Sequence, residues 1–308
     1  DEPCNQGERG SVAAMRRPEI SVVRFRKVVW IAFGSLYAII VTGSLVRLTG
    51  SGLGCSDWPN CNETKFVDVS SGHAAIEQIN RLFTGFVAAS VILAVSASLF
   101  LNPRVRRITA NAGILVFGVL VQVILGAYVV LTGLNPWSNM AHFLVSIFLV
   151  SSAFLLIKRV ELLIHPHIGQ DCADKRLRYM LFASACLVMF LGTVVTGAGP
   201  HSGAEQVTRL GISVRLATQM HSTSVWLLVL LAVVLVVRAR KNAARWEVEG
   251  PSMLRLLAAI SAQGFIGYVQ YFAGVPAPLV AIHIALSVVV WLCAFAIFLP
   301  ASTLLVLD

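Results

Sequence analysis

Ala74-Ala75-Ile76-Glu77-Gln78-Ile79-Asn80-Arg81 opens a long apolar segment with three polar side chains, Glu77, Asn80 and Arg81. A shift of 141 positions carries Asn80 to His221, His142 to His283, Gln122 to Gln263 and Gly126 to Gly267. One offset without a gap marks an internal duplication, and its paired positions are polar residues within apolar helices. Ionisable side chains are costly inside a membrane, so each such position is a candidate functional site by default. Glu77, Asn80 and Arg81 are three and four residues apart and share one helix face. The plain alternative for Glu77 and Arg81 is an ion pair at the membrane surface with no chemistry.

The rest of the chain reads as the scaffold for these positions. Of 308 residues, 57% are hydrophobic and 13% charged, against about 25% charged in soluble domains; mean hydropathy is +0.79. Eight apolar runs approach the roughly 20 residues that span a bilayer: 28–46, 76–101, 108–131, 140–157, 180–196, 217–237, 254–273 and 279–299. The expected fold class is an all-α membrane protein of eight transmembrane helices, arranged as two four-helix repeats. An even number of spans per repeat makes the repeats parallel, related by an axis along the membrane normal. The expected organisation is a cytoplasmic tail (1–27), a first repeat (28–160), a cytoplasmic linker (161–178) and a second repeat (179–308).

The net charge of +9 does not point to nucleic acid, because of where it lies. Basic residues cluster before span 1 (Arg16, Arg17, Arg24, Arg26, Lys27), between spans 2 and 3 (Arg104, Arg106, Arg107), between spans 4 and 5 (Lys158, Arg159, Lys175, Arg176, Arg178) and between spans 6 and 7 (Arg238, Arg240, Lys241, Arg245). The alternate loops carry few, such as Lys65, Arg209 and Arg215. This is the positive-inside pattern, and it places both termini in the cytoplasm. No cleavable signal peptide is visible. Met15 reads as a start site, with residues 1–14 a mis-assigned start or a disordered tail.

Cys55 and Cys61 flank Pro59 in the first outer loop, on the oxidising side, where a disulfide is expected; two free thiols or a metal site are the alternatives. Cys186 and Cys293 read as small core residues, while Cys4 and Cys172 fall on the cytoplasmic side. His165 and His167 flank a proline and read as solvated.

His221 and His283 lie near the outer ends of spans 6 and 8. Two histidines on different helices at one depth suit axial ligation of a haem iron; helix-to-helix hydrogen bonding is the alternative. Zinc is disfavoured because no third ligand is evident. The first repeat is not equivalent. His142 matches His283, but Asn80 stands where His221 has its counterpart, and an amide is a poor iron ligand. A haem there would have one strong axial ligand and an open sixth position, as iron-centred oxidation needs, whereas a bis-histidine site suits electron transfer.

At these residues the sequence resembles the haem A synthase family. The carriers are Arg47-Leu-Thr-Gly-Ser-Gly-Leu53, Glu77-x-x-x-Arg81, Thr193-Val-Val-Thr-Gly-Ala-Gly-Pro-His-Ser-Gly203 and His142, His221 and His283. The resemblance implies oxidation of a haem O ring methyl to a formyl group through an alcohol, for cytochrome oxidase cofactor biosynthesis. It implies haem b held by His221 and His283, substrate haem O by His142 beside Asn80, and a functional carboxylate at Glu77. It also implies a bacterial plasma-membrane location among lipid, with haem O synthase and an electron acceptor as partners. Asn80 departs from the histidine of many relatives, as in the high-GC Gram-positive variant. Of the family's outer-loop cysteine pairs, only Cys55 and Cys61 are matched. The competing classes are a non-catalytic di-haem electron-transfer protein, which should keep both ligand pairs, and a haem transporter, for which broken helices at the midplane are expected.

Overall fold

The computed structural model describes residues 19–165, 174–204 and 206–299. The readings of residues 1–14, Met15, Arg16, Arg17, Cys4, His167 and Cys172 lie outside the described residues. Eight helices follow in order: α1 (Val22–Leu48), α2 (Gly72–Leu99), α3 (Arg106–Leu131), α4 (Pro136–Ile164), α5 (Lys175–Ala198), α6 (Val214–Arg240), α7 (Ala243–Phe272) and α8 (Ala277–Phe298). All eight are long and apolar enough to cross a membrane. Two short strands, β1 (Ile20–Ser21) and β2 (Leu101–Asn102), pair in parallel beside the start of α1.

The helix starts are written in side chains that accept hydrogen bonds from first-turn N–H groups. Ser21, Ser71, Ser213 and Asn242 cap α1, α2, α6 and α7, and Asn135 caps α4 with Pro136 in its first turn, where a missing N–H costs nothing. Several helices outrun the apolar runs. α4 continues past Lys158 and Arg159 to Ile164, and α5 starts at Lys175, so both ends of the expected 161–178 linker are helical. α7 begins at Ala243, well before the expected 254, and carries Pro251 within it. Its first turns are polar and amphipathic, which hydropathy alone does not register.

Helices α1, α4, α5 and α8 form the centre: α1 packs on α2, α4 and α8, and α5 on α4, α6 and α8. One apolar core fills residues 25–164 around Phe25, Leu115 and Leu156, and a second fills 177–297 around Leu181, Leu235 and Leu256. A third joins them, with Ile40, Ile147 and Val150 against Val288 and Leu292. Polar stitches cross the same seam: Tyr37 OH donates to Ala285 O (3.1 Å), and Trp291 Nε1 to Ser151 Oγ (2.7 Å). Within apolar surroundings such bonds and close packing, rather than water exclusion, hold helices together. The outer faces stay apolar, as at Phe117, Ile124, Phe265 and Phe272. Cys186, expected in the core, is exposed on α5, because its face of the helix points away from the bundle.

The end of the bundle where α5 begins is tied by ions. Asp174 binds Arg245 Nη1 (2.8 Å) and Arg238 Nη1 (3.1 Å); Glu249 binds Arg245 Nε (2.8 Å) and Arg178 Nη2 (2.6 Å). Arg178 Nη1 also donates to Ile297 O (2.7 Å), so α5 to α8 meet in one network. The hydrogen bond from Arg245 holds the Asp174 carboxyl below its ordinary value. A carboxylate depressed on folding adds stability that is present above its unfolded pKa, about 3.9, and is lost as pH falls through the folded value. Asp174→Asn is therefore expected to lower the thermal midpoint of detergent-purified protein near neutral pH. The loss should amount to about 1 kcal/mol, the upper end for partly exposed pairs, and should close in acid. A gap unchanged between neutral pH and about pH 3 would show that charge is not what Asp174 contributes.

Candidate functional site

The three histidines and Asn80 sit near the start of even-numbered helices, Asn80 in α2, His142 in α4, His221 in α6 and His283 in α8, while Gln122 and Gln263 lie in the second halves of α3 and α7. The structure brings His221 and His283 together. Their ring centroids are 6.5 Å apart, with planes inclined at 69°. Nδ1 of His221 lies 3.1 Å from Val188 O. A carbonyl only accepts, so Nδ1 carries the proton and Nε2 is left bare, the form that ligates metals. Nδ1 of His283 and Nδ1 of His142 are buried without a partner.

The two halves repeat one local construction. Gln122 Nε2 donates to His142 O at 2.9 Å, and Gln263 Nε2 donates to His283 O at 2.9 Å. Gln122 also reaches Ser146 Oγ. Each glutamine thus pins the turn that carries a histidine, and each has an unpartnered buried Oε1. Asn80 is held differently: its Oδ1 accepts from Thr42 Oγ1 on α1 at 2.9 Å.

Glu77 is buried at 5% exposure, and both its oxygens are engaged. Oε1 accepts from Arg81 Nε (3.1 Å) and Nη2 (2.7 Å), and Oε2 accepts from Cys55 N (2.8 Å). Arg81 Nη1 continues to Asp57 O and Asn60 O, each at 3.1 Å. Cys55 and Cys61 are joined by a disulfide, both fully buried against Ala74. The Glu77–Arg81 pair that the sequence left as a plain surface alternative is present, and it is a clamp: one carboxylate and one guanidinium anchor the cross-linked loop 55–61 to the start of α2. Nearby, His73 Nδ1 meets Ser51 Oγ at 2.9 Å.

The seam between halves is closed at this end too. Arg47 Nη2 donates to Thr196 O (2.7 Å), and Gly52 N to Gly203 O (3.0 Å). Thr42, Val188 and Thr196 are partners that sequence reasoning passed over. The echo of Val41-Thr42-Gly43 in Val195-Thr196-Gly197 was the signal for two of them; a main-chain carbonyl such as that of Val188 leaves none.

A family model described as cytochrome oxidase assembly protein, COX15-CtaA, matches residues 26–73 and 67–295. The chain belongs to the COX15-CtaA family. Among curated proteins it is similar to the "Heme A synthase" of Lysinibacillus sphaericus, 28% identical over 163 residues, 51% of this chain and 53% of that protein. It is 34% identical over 122 residues to the "Heme A synthase" of Listeria welshimeri (38% and 39%) and 31% over 121 residues to that of Bacillus pumilus (38% and 39%). The matched stretches thus span about half or less of these relatives' lengths.

COX15-CtaA membership makes a haem the group to test against the residues. Among the described residues no three His, Cys, Asp or Glu side chains gather as a metal site. Metal–imidazole bonds are about 2 Å, and a five-membered ring with bonds of about 1.33 Å places its atoms roughly 1.1 Å from its centre. Two such bonds and two radii in line span about 6.3 Å, close to the 6.5 Å between His221 and His283. The centroid separation is that of two imidazoles sharing one iron.

Proposed function

We propose that this chain is a haem A synthase, which oxidises a ring methyl of haem O to a formyl group through the alcohol. The observation that carries the reading is the unequal pair of sites: two histidine rings spaced for one iron between α6 and α8, and a single histidine, His142, with Asn80 in the duplicated position between α2 and α4. His221 and His283 would hold haem b, which when bound supplies a one-electron redox centre. His142 would hold the substrate haem, leaving the Asn80 side open. Glu77 is the proposed catalytic carboxylate. It is the acidic group one turn from Asn80, suited to accept a proton as the methyl is oxidised. The clamp it makes with Cys55 and Arg81 ties loop 55–61 to the start of α2.

The recurring glutamine-to-carbonyl bond supports the two-repeat reading, with 28–160 as the substrate half and 179–308 as the haem b half. The basic clusters support a plasma-membrane protein with both termini in the cytoplasm. Haem O, lipid, an electron acceptor and the haem O synthase that supplies substrate are the partners this implies. A non-catalytic di-haem electron carrier is disfavoured by Asn80.

The test is to add haem O and an electron acceptor to purified protein and extract the haems. Conversion to a species with the formyl-shifted spectrum, while haem b stays bound, is expected. Bound haem O recovered unchanged over many turnover times would refute the reading.

A further inference from the structure

Three glycines lie against the three histidines. A Cβ on Gly192 of α5 would meet His221 Cε1 at 3.4 Å and Nδ1 at 3.7 Å. One on Gly267 of α7 would meet His283 Cε1 at 3.1 Å and Nδ1 at 3.5 Å, and one on Gly126 of α3 would meet His142 Cε1 at 3.5 Å. Each ring therefore rests its Cε1 edge on bare backbone of the preceding helix. In the first case the purpose is visible: Nδ1 bonds the carbonyl of Val188, four residues before Gly192, where a helical carbonyl points toward the glycine's level. The carbonyls in the same register are those of Gln263 for His283 and Gln122 for His142. These are the two histidines whose Nδ1 is buried and unpartnered, and the two glutamines whose side chains already pin the histidine turns.

We infer that Gly192, Gly267 and Gly126 are positioning residues, each admitting an imidazole edge so that Nδ1 bonds the carbonyl four residues earlier and Nε2 is presented to iron. This rests on the haem reading above. The bond to a carbonyl fixes the tautomer and makes the ligand more basic, which favours the oxidised iron. The second and third bonds form by a small turn of the ring against Gly267 or Gly126, pairing a buried donor that would otherwise stay unsatisfied.

The molecule contains its own control. The echo of Val41-Thr42-Gly43 in Val195-Thr196-Gly197 aligns α1 with α5. In that register Ala38 stands at the position of Gly192, and α1 faces Asn80 through Thr42. Where the ring is missing, so is the glycine. A histidine placed at 80 would then meet a Cβ that His221 does not.

Two sets of variants of the full chain test this, read by absorption and by redox titration of bound haem b. Gly267→Ala, where the added carbon is tightest, should lose most of the low-spin signal. Gly192→Ala, with slightly more room, should keep it but shift the midpoint potential upward, since a less basic ligand stabilises ferric iron less. Wild-type spectrum and potential in both would overturn the inference. Asn80→His alone should leave the first-half haem high-spin, while Asn80→His with Ala38→Gly should make it six-coordinate and low-spin. The haem b signal in the same sample reports that each Asn80 variant is folded. Equal low-spin conversion in the single variant would also overturn the inference. Wild-type protein that binds no haem would instead sink the haem reading itself.

Discussion

Purified His283→Ala and His221→Ala proteins are expected to lose the low-spin haem spectrum, while His142→Ala keeps it. Under the proposed ligation each of the first two removes one of two protein bonds to the iron, and among the described residues no third His, Cys, Asp or Glu gathers with the pair. Disturbing an outer-shell partner of a metal ligand typically costs about 10- to 100-fold in affinity, so loss of the ligand itself should exceed about tenfold. Alanine also leaves a void beside Gly192 or Gly267, whose bare backbone cannot close it. The expected record is a haem b content below about a tenth of wild type, or a residual high-spin species. His142 sits in the other half, so its removal should spare haem b and abolish binding of the substrate haem. A low-spin spectrum that survived in both His221→Ala and His283→Ala would refute the pair as ligands.

Glu77→Gln is the second variant with a large expected effect. The amide keeps the size and one acceptor oxygen but turns the other oxygen into a donor. That donor must face either Cys55 N–H or Arg81, both donors themselves. It also leaves the Arg81 guanidinium, 19% exposed as a side chain, without its counter-charge. Removing one partner of a buried pair typically costs about 3–5 kcal/mol. Loop 55–61 should loosen, and haem A formed per mole of haem b should fall to background or stall at the alcohol, with haem b still bound at His221 and His283. Arg81→Gln separates clamp from chemistry, because it unties the same loop and leaves the carboxylate. If Glu77 acts on the substrate, Arg81→Gln retains measurable turnover where Glu77→Gln has none. Near-wild-type turnover in Glu77→Gln would end the catalytic assignment, and equal losses in both variants would reduce Glu77 to an anchor.

The eight spans were legible because hydropathy reports burial in lipid directly. Their ends were not, for reasons visible in particular residues. Arg159 continues α4 because its Nη1 reaches Asn111 Oδ1 at 2.9 Å, letting a charged residue sit on a helix beyond the apolar run. The start of α7 was hidden by Arg245, Glu247 and Glu249, whose charges read as loop, although Arg245 and Glu249 join the ion network at the bundle's end. At the site, the constant 141-residue offset exposed the histidines and the pinning glutamines, since duplication preserves side chains. It could not expose Val188 O or Cys55 N, because main-chain groups are identical in every residue and only the fold selects among them. Nor could it show that Glu77 gives one oxygen to Arg81 and the other to Cys55 N: Arg81 is one turn away in sequence, but Cys55 is brought back by the disulfide loop.

The contact of α1 with α8 bears on how the molecule is made. α1 leaves the ribosome well before α8, so it must wait in the bilayer with its Ile40 and Tyr37 face uncovered until α8 is inserted. The first half can gather its own core around Phe25 and Leu156 early, and Arg47 can meet Thr196 once α5 is in place, yet the seam from Tyr37 to Ala285 closes only after α8 is inserted. Ribosomes stalled before α8 should therefore display a first half that is inserted but still open to protease and membrane quality control. Damage near residue 285 would register in biogenesis as a defect of the first span.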